Sequence, residues 1–233
     1  MKKTIIFVTT STSGGGAEKV LVNIINSLAV LSKYKIILII TSSAPIPKNL
    51  ESGIIIKRLH KSKAHNAFKY LYREIISIKP DYIFTTSSNI FYMLFTIKKV
   101  CRLNSKIYVR VTVTPSEQII CSWKNKLIYA INQITYRHAD LIIAQTKYMK
   151  NDLCNKYHIN PNKIKVIRNI IDYKNLDKAI ANNITCYKNS DYNIVASGAL
   201  YSVKGFDILI NAFALASREI HNAQLYILGK ERY

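Results

Sequence analysis

Two alternating hydrophobic patterns constrain the fold of this chain more than any other feature. Short runs rich in Ile, Val, Tyr and Phe alternate with longer segments whose apolar residues recur every three or four positions. The first pattern is typical of parallel strands covered on both faces, and the second of helices packed on a sheet. Their alternation predicts βαβ units and therefore an α/β fold with a parallel sheet.

The strand pattern recurs along the chain before residue 172. Its runs are TIIFVTT from Thr4, KIILIITSS from Lys35, IIIKRL from Ile54, DYIFTTS from Asp81, KIYVRVTV from Lys106, ADLIIAQT from Ala139 and KIKVIRN from Lys163. The helical pattern is clearest in residues 17–33, and it predicts further helices around 64–77, 89–102, 124–138 and 146–157.

A change of composition marks a domain boundary. The apolar pattern thins in DYKNLDKAIANNITCYKNSDY, residues 172–192, and then a new strand NIVASGAL, a helix over 206–219 and a strand AQLYILG follow. We therefore predict an N-terminal Rossmann-like domain at 1–172, a linker at 173–191 and an incomplete second domain at 192–233. The second domain is expected to be incomplete because one βαβ unit cannot bury both faces of its sheet.

The charge balance points to anionic partners. Lys and Arg total 34 against 13 Asp and Glu, for a formal net charge of +21. Nucleic acid is one candidate, but no helix-turn-helix, RRM, KH or zinc-finger pattern is present, so no nucleic acid is expected as a partner. A cationic stretch interleaved with aromatic residues fits either an anionic membrane surface or an ordinary solvated face. It contains Lys57, Arg58, His60, Lys61, Lys63, His65, Lys69 and Arg73 and is echoed by Lys98, Lys99, Arg102 and Lys106.

Cysteine and histidine spacing predicts no metal site. Cys101, Cys121, Cys154 and Cys186 are widely scattered and form no CxxC pair, which favours a reduced, cytoplasmic protein. The start MKKTIIFVTT is interpreted as a first strand because its apolar run is short and leads into STSGGG rather than into a cleavage site. No apolar run approaches the roughly 20 residues that span a bilayer, so we expect any membrane contact to be peripheral.

A glycine-rich loop follows the first strand. In Ser13–Glu18, SGGGAE, glycines permit close approach of a ligand and a helix start can face an anion. The dinucleotide fingerprint is excluded because Lys19 stands where its last glycine would be, and no GK[ST] of a Walker A loop is present. A ligand-binding loop and a plain βα turn both remain open, with Glu18 offsetting the helix dipole in the second case.

Five segments, in order, resemble glycosyltransferase family 4, whose members have the GT-B fold. GGGAEKVLVNI is similar to the family's GGAE(R/K) loop, KPDYIFTTS to its Pro-Asp strand, YRHADLIIAQT to its Ala-Asp strand and KIKVIRNIID to its VIxNxxD segment. The most specific segment, ASGALYSVKGFDILINAFA, resembles GRLxxxKGFDxLIxAF.

The resemblance implies two Rossmann-like domains facing a cleft, and transfer of a nucleotide-activated sugar with retention of configuration and without a metal ion or other cofactor. The acceptor would be a glycan, glycolipid or lipopolysaccharide, handled in the cytoplasm or at the inner face of the cytoplasmic membrane. The resemblance places Lys204 and Gly205 at the donor phosphates. It places Gly14, Gly15, Gly16, Glu18 and Arg110 on the acceptor side of the cleft.

Three departures from the family pattern bear on activity. Ala199 stands where the family has a phosphate-binding Arg, Thr112 stands where many members have His, and the paired-glutamate motif would lie beyond residue 233. We therefore expect a truncated member, inactive unless a separate chain supplies the C-terminal half. A catalytically inactive remnant or interaction subunit is one alternative, and a basic nucleic-acid-binding protein is another. No catalytic residue is assigned.

Overall fold

The computed structural model describes residues 2–12, 15–61, 64–117, 122–171, 190–201 and 204–229. The chain divides into two compact units, Met1–Asp172 and Tyr173–Tyr233, called unit 1 and unit 2 below. Most of the predicted linker at 173–191, like Gly14, lies outside the described residues.

Unit 1 is built on a parallel sheet of seven described strands. In chain order they are β1 (Lys3–Thr9), β2 (Tyr34–Ile40), β3 (Ile55–Arg58), β4 (Tyr82–Thr85), β5 (Lys106–Arg110), β6 (Leu141–Ala144) and β7 (Ile164–Val166). Across the sheet their order is β3-β2-β1-β4-β5-β6-β7. Every described pairing between neighbours is parallel, so the predicted α/β architecture is confirmed.

Five described helices accompany these strands. They are α1 (Gly16–Val30), α2 (Ala64–Ile78), α3 (Ser88–Val100), α4 (Trp123–Tyr136) and α5 (Lys147–Tyr157). Each begins and ends within three residues of the segment that sequence periodicity predicts, because each helix buries an apolar stripe against the sheet.

The core of unit 1 has two layers, one on each face of the sheet. Ile5 and Phe7 of β1 pack with Leu21 and Ile25 of α1 in one layer. Their neighbours on β1, Ile6 and Val8, face the opposite layer, together with apolar residues of the other four helices. Successive side chains of a strand point to opposite faces, so an unbroken apolar run serves both layers.

Several predicted element ends are wrong, among them those of β5, β6 and the helix predicted after residue 205. β5 ends at Arg110 instead of Val113, because the chain turns into a short 3₁₀ helix, Pro115–Glu117, for which the fixed φ of proline is suited. β6 begins at Leu141, because the preceding Asp140 side chain instead accepts a hydrogen bond from the Ile107 amide at 2.8 Å. The helix predicted over 206–219 ends at Ala216.

The described part of unit 2 is a single βαβ unit. Parallel strands β8 (Tyr192–Ser197) and β9 (Ala223–Leu228) flank helix α6 (Phe206–Ala216). None of its described side chains is buried, and Ile208 is 71% exposed. Both faces of a lone pair of strands cannot be covered by one helix, which accounts for this exposure.

Candidate functional site

The topology of unit 1 places its loops of interest along one edge of the sheet. The chain moves from β1 toward β3 in one direction and from β4 toward β7 in the other, so the strand order reverses between β1 and β4. Ligands of open α/β sheets bind outside the carboxyl ends of the strands at such a reversal. The glycine loop follows β1, and Arg110 ends β5, the strand beside β4.

The glycine loop places a carboxylate at the start of α1. Gly15 is the N-cap of this helix, with extended backbone angles and no side-chain cap, and Glu18 lies in the first turn. A Cβ added to Gly15 would come within 2.5 Å of Glu18 Oε2, whereas one added to Gly16 would meet nothing within 4 Å. The Glu18 carboxylate therefore folds back over the helix start.

This carboxylate changes what the helix start can bind. A negative charge in the first turn offsets the helix dipole, and it also repels a phosphate brought to the same amides. The arrangement is therefore better suited to accepting hydrogen bonds from hydroxyl groups than to holding a phosphate.

Arg110 is the most unusual polar residue of the edge. Its side chain is only 3% exposed, and its Nη2 donates a hydrogen bond to Asn169 Oδ1 at 2.5 Å. Its Nη1 is buried and has no hydrogen-bond partner among the described residues. Burial lowers the pKa of the guanidinium from its ordinary value, although an arginine remains charged in proteins.

No carboxylate compensates this buried charge among the described residues. The ion pairs of the described parts of the chain are Lys57 with Glu74 and Lys98 with Asp140. A buried charge without an opposite charge is costly by several kcal/mol, so an anionic ligand would be favoured beside Arg110.

Asn169 is a site residue that sequence reasoning did not identify as one. It follows β7 and lies 59 positions from Arg110 along the chain. It belongs to the KIKVIRNIID segment, but nothing in that pattern indicates an arginine as its partner. Parallel pairing of β5, β6 and β7 brings the two strand ends to one edge.

The β8–α6 turn of unit 2 holds the second group of predicted site residues. Gly205 is the N-cap of α6 and has a φ of 66°, in the left-handed region that glycine adopts without strain. Lys204 is exposed, and its amide donates to the Tyr201 carbonyl at 2.9 Å. Its Cδ would lie 4.0 Å from a Cβ built on Gly198, so the stem of Lys204 passes the end of β8.

Family membership is decided by a comparison with known protein families. The family model for Glycosyltransferase Family 4 matches residues 14–175, more than half of the chain. The chain belongs to glycosyltransferase family 4. The prediction drawn from its five ordered segments is thereby confirmed.

Two solved structures show the fold of this family 4 chain. Sucrose-phosphate synthase from Thermosynechococcus elongatus is 15% identical, with a TM-score of 0.70 over 99% of this chain and 63% of its own. Anabaena HepE, solved in complex with UDP and glucose, is 14% identical, with a TM-score of 0.68 over 99% of this chain and 62% of its own. The predicted GT-B type of fold is confirmed.

A curated relative of this family 4 chain acts on a lipid-linked saccharide. It is the N-acetylgalactosamine-N,N'-diacetylbacillosaminyl-diphospho-undecaprenol 4-alpha-N-acetylgalactosaminyltransferase of Campylobacter jejuni. The two sequences are 24% identical over 242 residues, covering 99% of this chain. This chain spans 63% of the relative's length.

At two positions this chain carries a residue that differs from the family pattern, and both side chains are half-buried. Thr112 is half-buried just after β5, and Ala199 is half-buried just after β8. Ala199 offers a methyl group where the family has a guanidinium, so it cannot form two parallel hydrogen bonds to a phosphate.

The basic stretch of this family 4 chain is partly engaged within unit 1. Lys57 pairs with Glu74 at 2.5 Å, Arg58 Nη2 donates to the Ser43 carbonyl at 2.6 Å, and Lys61 lies 4.4 Å from the Tyr70 ring centroid. Lys63 lies outside the described residues. Within the described parts of the chain, no helix is long and apolar enough to cross a membrane.

Proposed function

We propose that this chain takes part in transferring a sugar from a nucleotide-sugar to a glycan or lipid-linked acceptor, with unit 1 on the acceptor side. Membership of glycosyltransferase family 4 supports the reaction class. The diphospho-undecaprenol named for the Campylobacter relative supports an acceptor that carries a diphosphate. The UDP and glucose bound by HepE support a nucleotide-sugar as the donor.

The observation that carries the proposal is the buried guanidinium of Arg110, which no carboxylate of the described residues neutralises. Its positive charge and its Nη1 donor, for which the described part of the chain offers no hydrogen-bond partner, fit an oxygen of the acceptor diphosphate. Asn169 holds the other arm of the guanidinium and fixes its plane, so that a second donor is already oriented before the ligand arrives. The reversal of strand order at β1 and β4 places this cation at the ligand-binding edge of the sheet.

The glycine loop would hold the sugar part of the acceptor. The Glu18 carboxylate at the start of α1 can accept hydrogen bonds from hydroxyl groups, and Gly15 and Gly16 leave the space beside it unfilled by side chains. Gly14, which the family resemblance assigns to the same loop, lies outside the described residues.

Residues 192–229 would form the first part of the donor side. The exposed ammonium of Lys204, ahead of the α6 start at Gly205, is suited to contact the donor diphosphate. In this proposal cationic side chains and helix-start amides stabilise the leaving diphosphate, a task that a divalent cation performs in other transferases. We infer that the transfer takes place at the inner face of the cytoplasmic membrane, where an undecaprenol-linked acceptor such as that named for the Campylobacter relative would lie.

The test is equilibrium binding of an acceptor analogue to the 233-residue protein. The probe is a short-chain polyprenyl diphosphate disaccharide, measured by isothermal titration calorimetry beside the free disaccharide. We expect Arg110→Gln to weaken binding of the diphosphate probe at least roughly tenfold, because a charge-assisted hydrogen bond is lost. Binding of the free disaccharide should change little.

Arg58→Gln is the matched control. Arg58 also has a buried nitrogen without a hydrogen-bond partner among the described residues, and it also donates from Nη2 to a neutral oxygen. It ends β3, away from the strand reversal, so its loss should leave the affinity unchanged. Equal affinity of the Arg110→Gln and wild-type proteins, at equal thermal stability, would refute the role of Arg110.

A further inference from the structure

Helix α4 exposes an apolar stripe along its whole length. Trp123 is 70% exposed, Leu127 53% and Ile134 61%, and Ala130 between them is exposed as well. The spacing of these four positions is i, i+4, i+7 and i+11, which places them on one side of a helix. The opposite side buries the polar residues Asn132 and Thr135. Apolar residues therefore lie on the outward side of this helix as well as on its core side, where Tyr136 is 5% exposed.

An apolar groove continues this surface toward α3. Its cavity, about 490 Å³, is lined by Ile128 and Ile131 of α4 and by Tyr92 and Met93 of α3. Ile128 and Tyr92 are 42% and 48% exposed, so the groove opens to the surface beside the stripe. A contiguous apolar surface of this kind marks an interaction site.

The charge of the surrounding helices selects the partner. The sequences of α2, α3 and α4 contain six cationic residues, Lys69, Arg73, Lys98, Lys99, Lys124 and Lys126. Lys98 pairs with Asp140, and the one carboxylate on these helices, Glu74, pairs with Lys57. The cations that the structure describes as exposed on these helices are Lys69, Arg73, Lys99 and Lys126. An apolar stripe on a helix layer with this excess of positive charge complements a surface that is anionic outside and apolar beneath, as an anionic bilayer is. A nucleic acid would use the cations but would leave the aliphatic stripe in water.

We propose that α4, with the groove beside it, docks unit 1 on an anionic phospholipid bilayer. Trp123, Leu127 and Ile134 enter the boundary between headgroups and acyl chains, a depth at which tryptophan is enriched in membrane proteins. Lys126, together with the exposed Lys69, Arg73 and Lys99 of α2 and α3, meets the lipid phosphates. The residues of this surface are different from those of the proposed transferase site. Vesicle binding can therefore fail while acceptor binding is observed, and acceptor binding can fail while vesicle binding is observed.

The single tryptophan of the chain makes the docking directly observable. Trp123 is the one Trp in the sequence, so intrinsic tryptophan emission reports on α4 alone. The 233-residue protein is titrated with phosphatidylcholine vesicles with and without phosphatidylglycerol. We expect an emission shift to shorter wavelength only with the anionic vesicles, quenching by lipids brominated on the acyl chains, and co-sedimentation that salt weakens.

Matched variants distinguish insertion of α4 into the bilayer from nonspecific hydrophobic adsorption. Leu127→Gln combined with Ile134→Gln removes two exposed apolar residues of α4 and keeps Trp123 as the reporter. Val30→Gln combined with Leu31→Gln removes two exposed apolar residues at the end of α1, since Val30 is 69% exposed and Leu31 54%. We expect the first pair to lower vesicle partitioning at least roughly tenfold and the second pair less than twofold, with the fold retained in both.

Four results would overturn this proposal. They are equal losses in the two variant pairs, co-sedimentation without a shift in Trp123 emission, equal binding to neutral and anionic vesicles, and an equal emission shift with duplex DNA.

Discussion

At the scale of single residues, the proposed sites depend on two local features of opposite kind. Arg110 matters for its chemistry, because its buried cation has a hydrogen-bond donor without a partner among the described residues. Gly205 matters for its backbone, because its φ of 66° at the start of α6 orients the turn that carries Lys204. Each feature can be changed by one substitution.

Substitution of Gly205 should loosen the β8–α6 turn. A side chain in the left-handed region costs about 1 kcal/mol, so Gly205→Ala should speed amide exchange in α6 roughly fivefold. Gly16→Ala is the matched control, because Gly16 lies in the first turn of α1 and an added Cβ meets nothing within 4 Å. Hydrogen exchange measured by mass spectrometry should show no acceleration in α1. Unchanged exchange in α6 would mean that the turn does not need glycine.

Substitution of Lys204 should weaken donor binding. A lysine that contacts a diphosphate supplies a charge-assisted contact, so Lys204→Gln should weaken binding of a UDP-sugar at least about fivefold, more at low salt than at high salt. Arg218→Gln removes another exposed cation of unit 2 and should have no such effect. Equal affinities of the two variants would assign Lys204 to the solvated surface.

At the scale of helices and strands, the two units differ in how well their strands are covered. The five residues Ile5 to Thr9 of β1 are at most 9% exposed, whereas β8 keeps Ile194 and Val195 at 40% and 44%. Water therefore reaches the side chains around the β8–β9 ladder but not those around β1.

This difference predicts unequal stability along one chain. Amides of β8 and β9 should exchange at least about a hundredfold faster than amides of β1 and β4, because sparsely buried elements open at low free energy. Exchange followed by mass spectrometry on the intact chain measures both units in one sample. Equal protection would show that the apolar faces of unit 2 are covered in solution.

The elements themselves were largely predictable, because apolar periodicity is a local property of the sequence. The ends of the elements were less predictable. β5 ends at Arg110 because the chain turns before Pro115, and the apolar pattern does not indicate this turn. The exposed stripe of α4 was not predicted either. Both sides of that helix carry apolar residues, so periodicity alone cannot indicate which side faces the sheet.

Residues of the proposed site could be nominated from the sequence only where they belong to a continuous motif. The glycine loop, Lys204 and Gly205 follow from their segments, and Glu18 lies at the helix start as a first-turn carboxylate would. The burial of Arg110 and its bond to Asn169 depend on the pairing of three strands. In sequence, Arg110 is indistinguishable from a solvated charge at a strand end.

At the scale of the whole molecule, the family, the fold and the net charge all favour a diphosphate-containing ligand. It belongs to glycosyltransferase family 4 and spans 63% of the length of its Campylobacter relative. The net charge of +21 favours anionic ligands, which diphosphates and anionic lipids both are. We propose that the carboxyl edge of the seven-stranded sheet receives a diphosphate-linked acceptor.

Photoaffinity mapping tests that claim most directly. A polyprenyl diphosphate disaccharide with a diazirine on its first sugar is irradiated with the protein, and the labelled peptides are identified by mass spectrometry. We predict labelling after β1, β5 and β7, in peptides that contain Glu18, Arg110 or Asn169, and its loss in Arg110→Gln and under competition by unlabelled probe. Competable labelling confined to other peptides, or labelling unaffected by Arg110→Gln, would contradict the account.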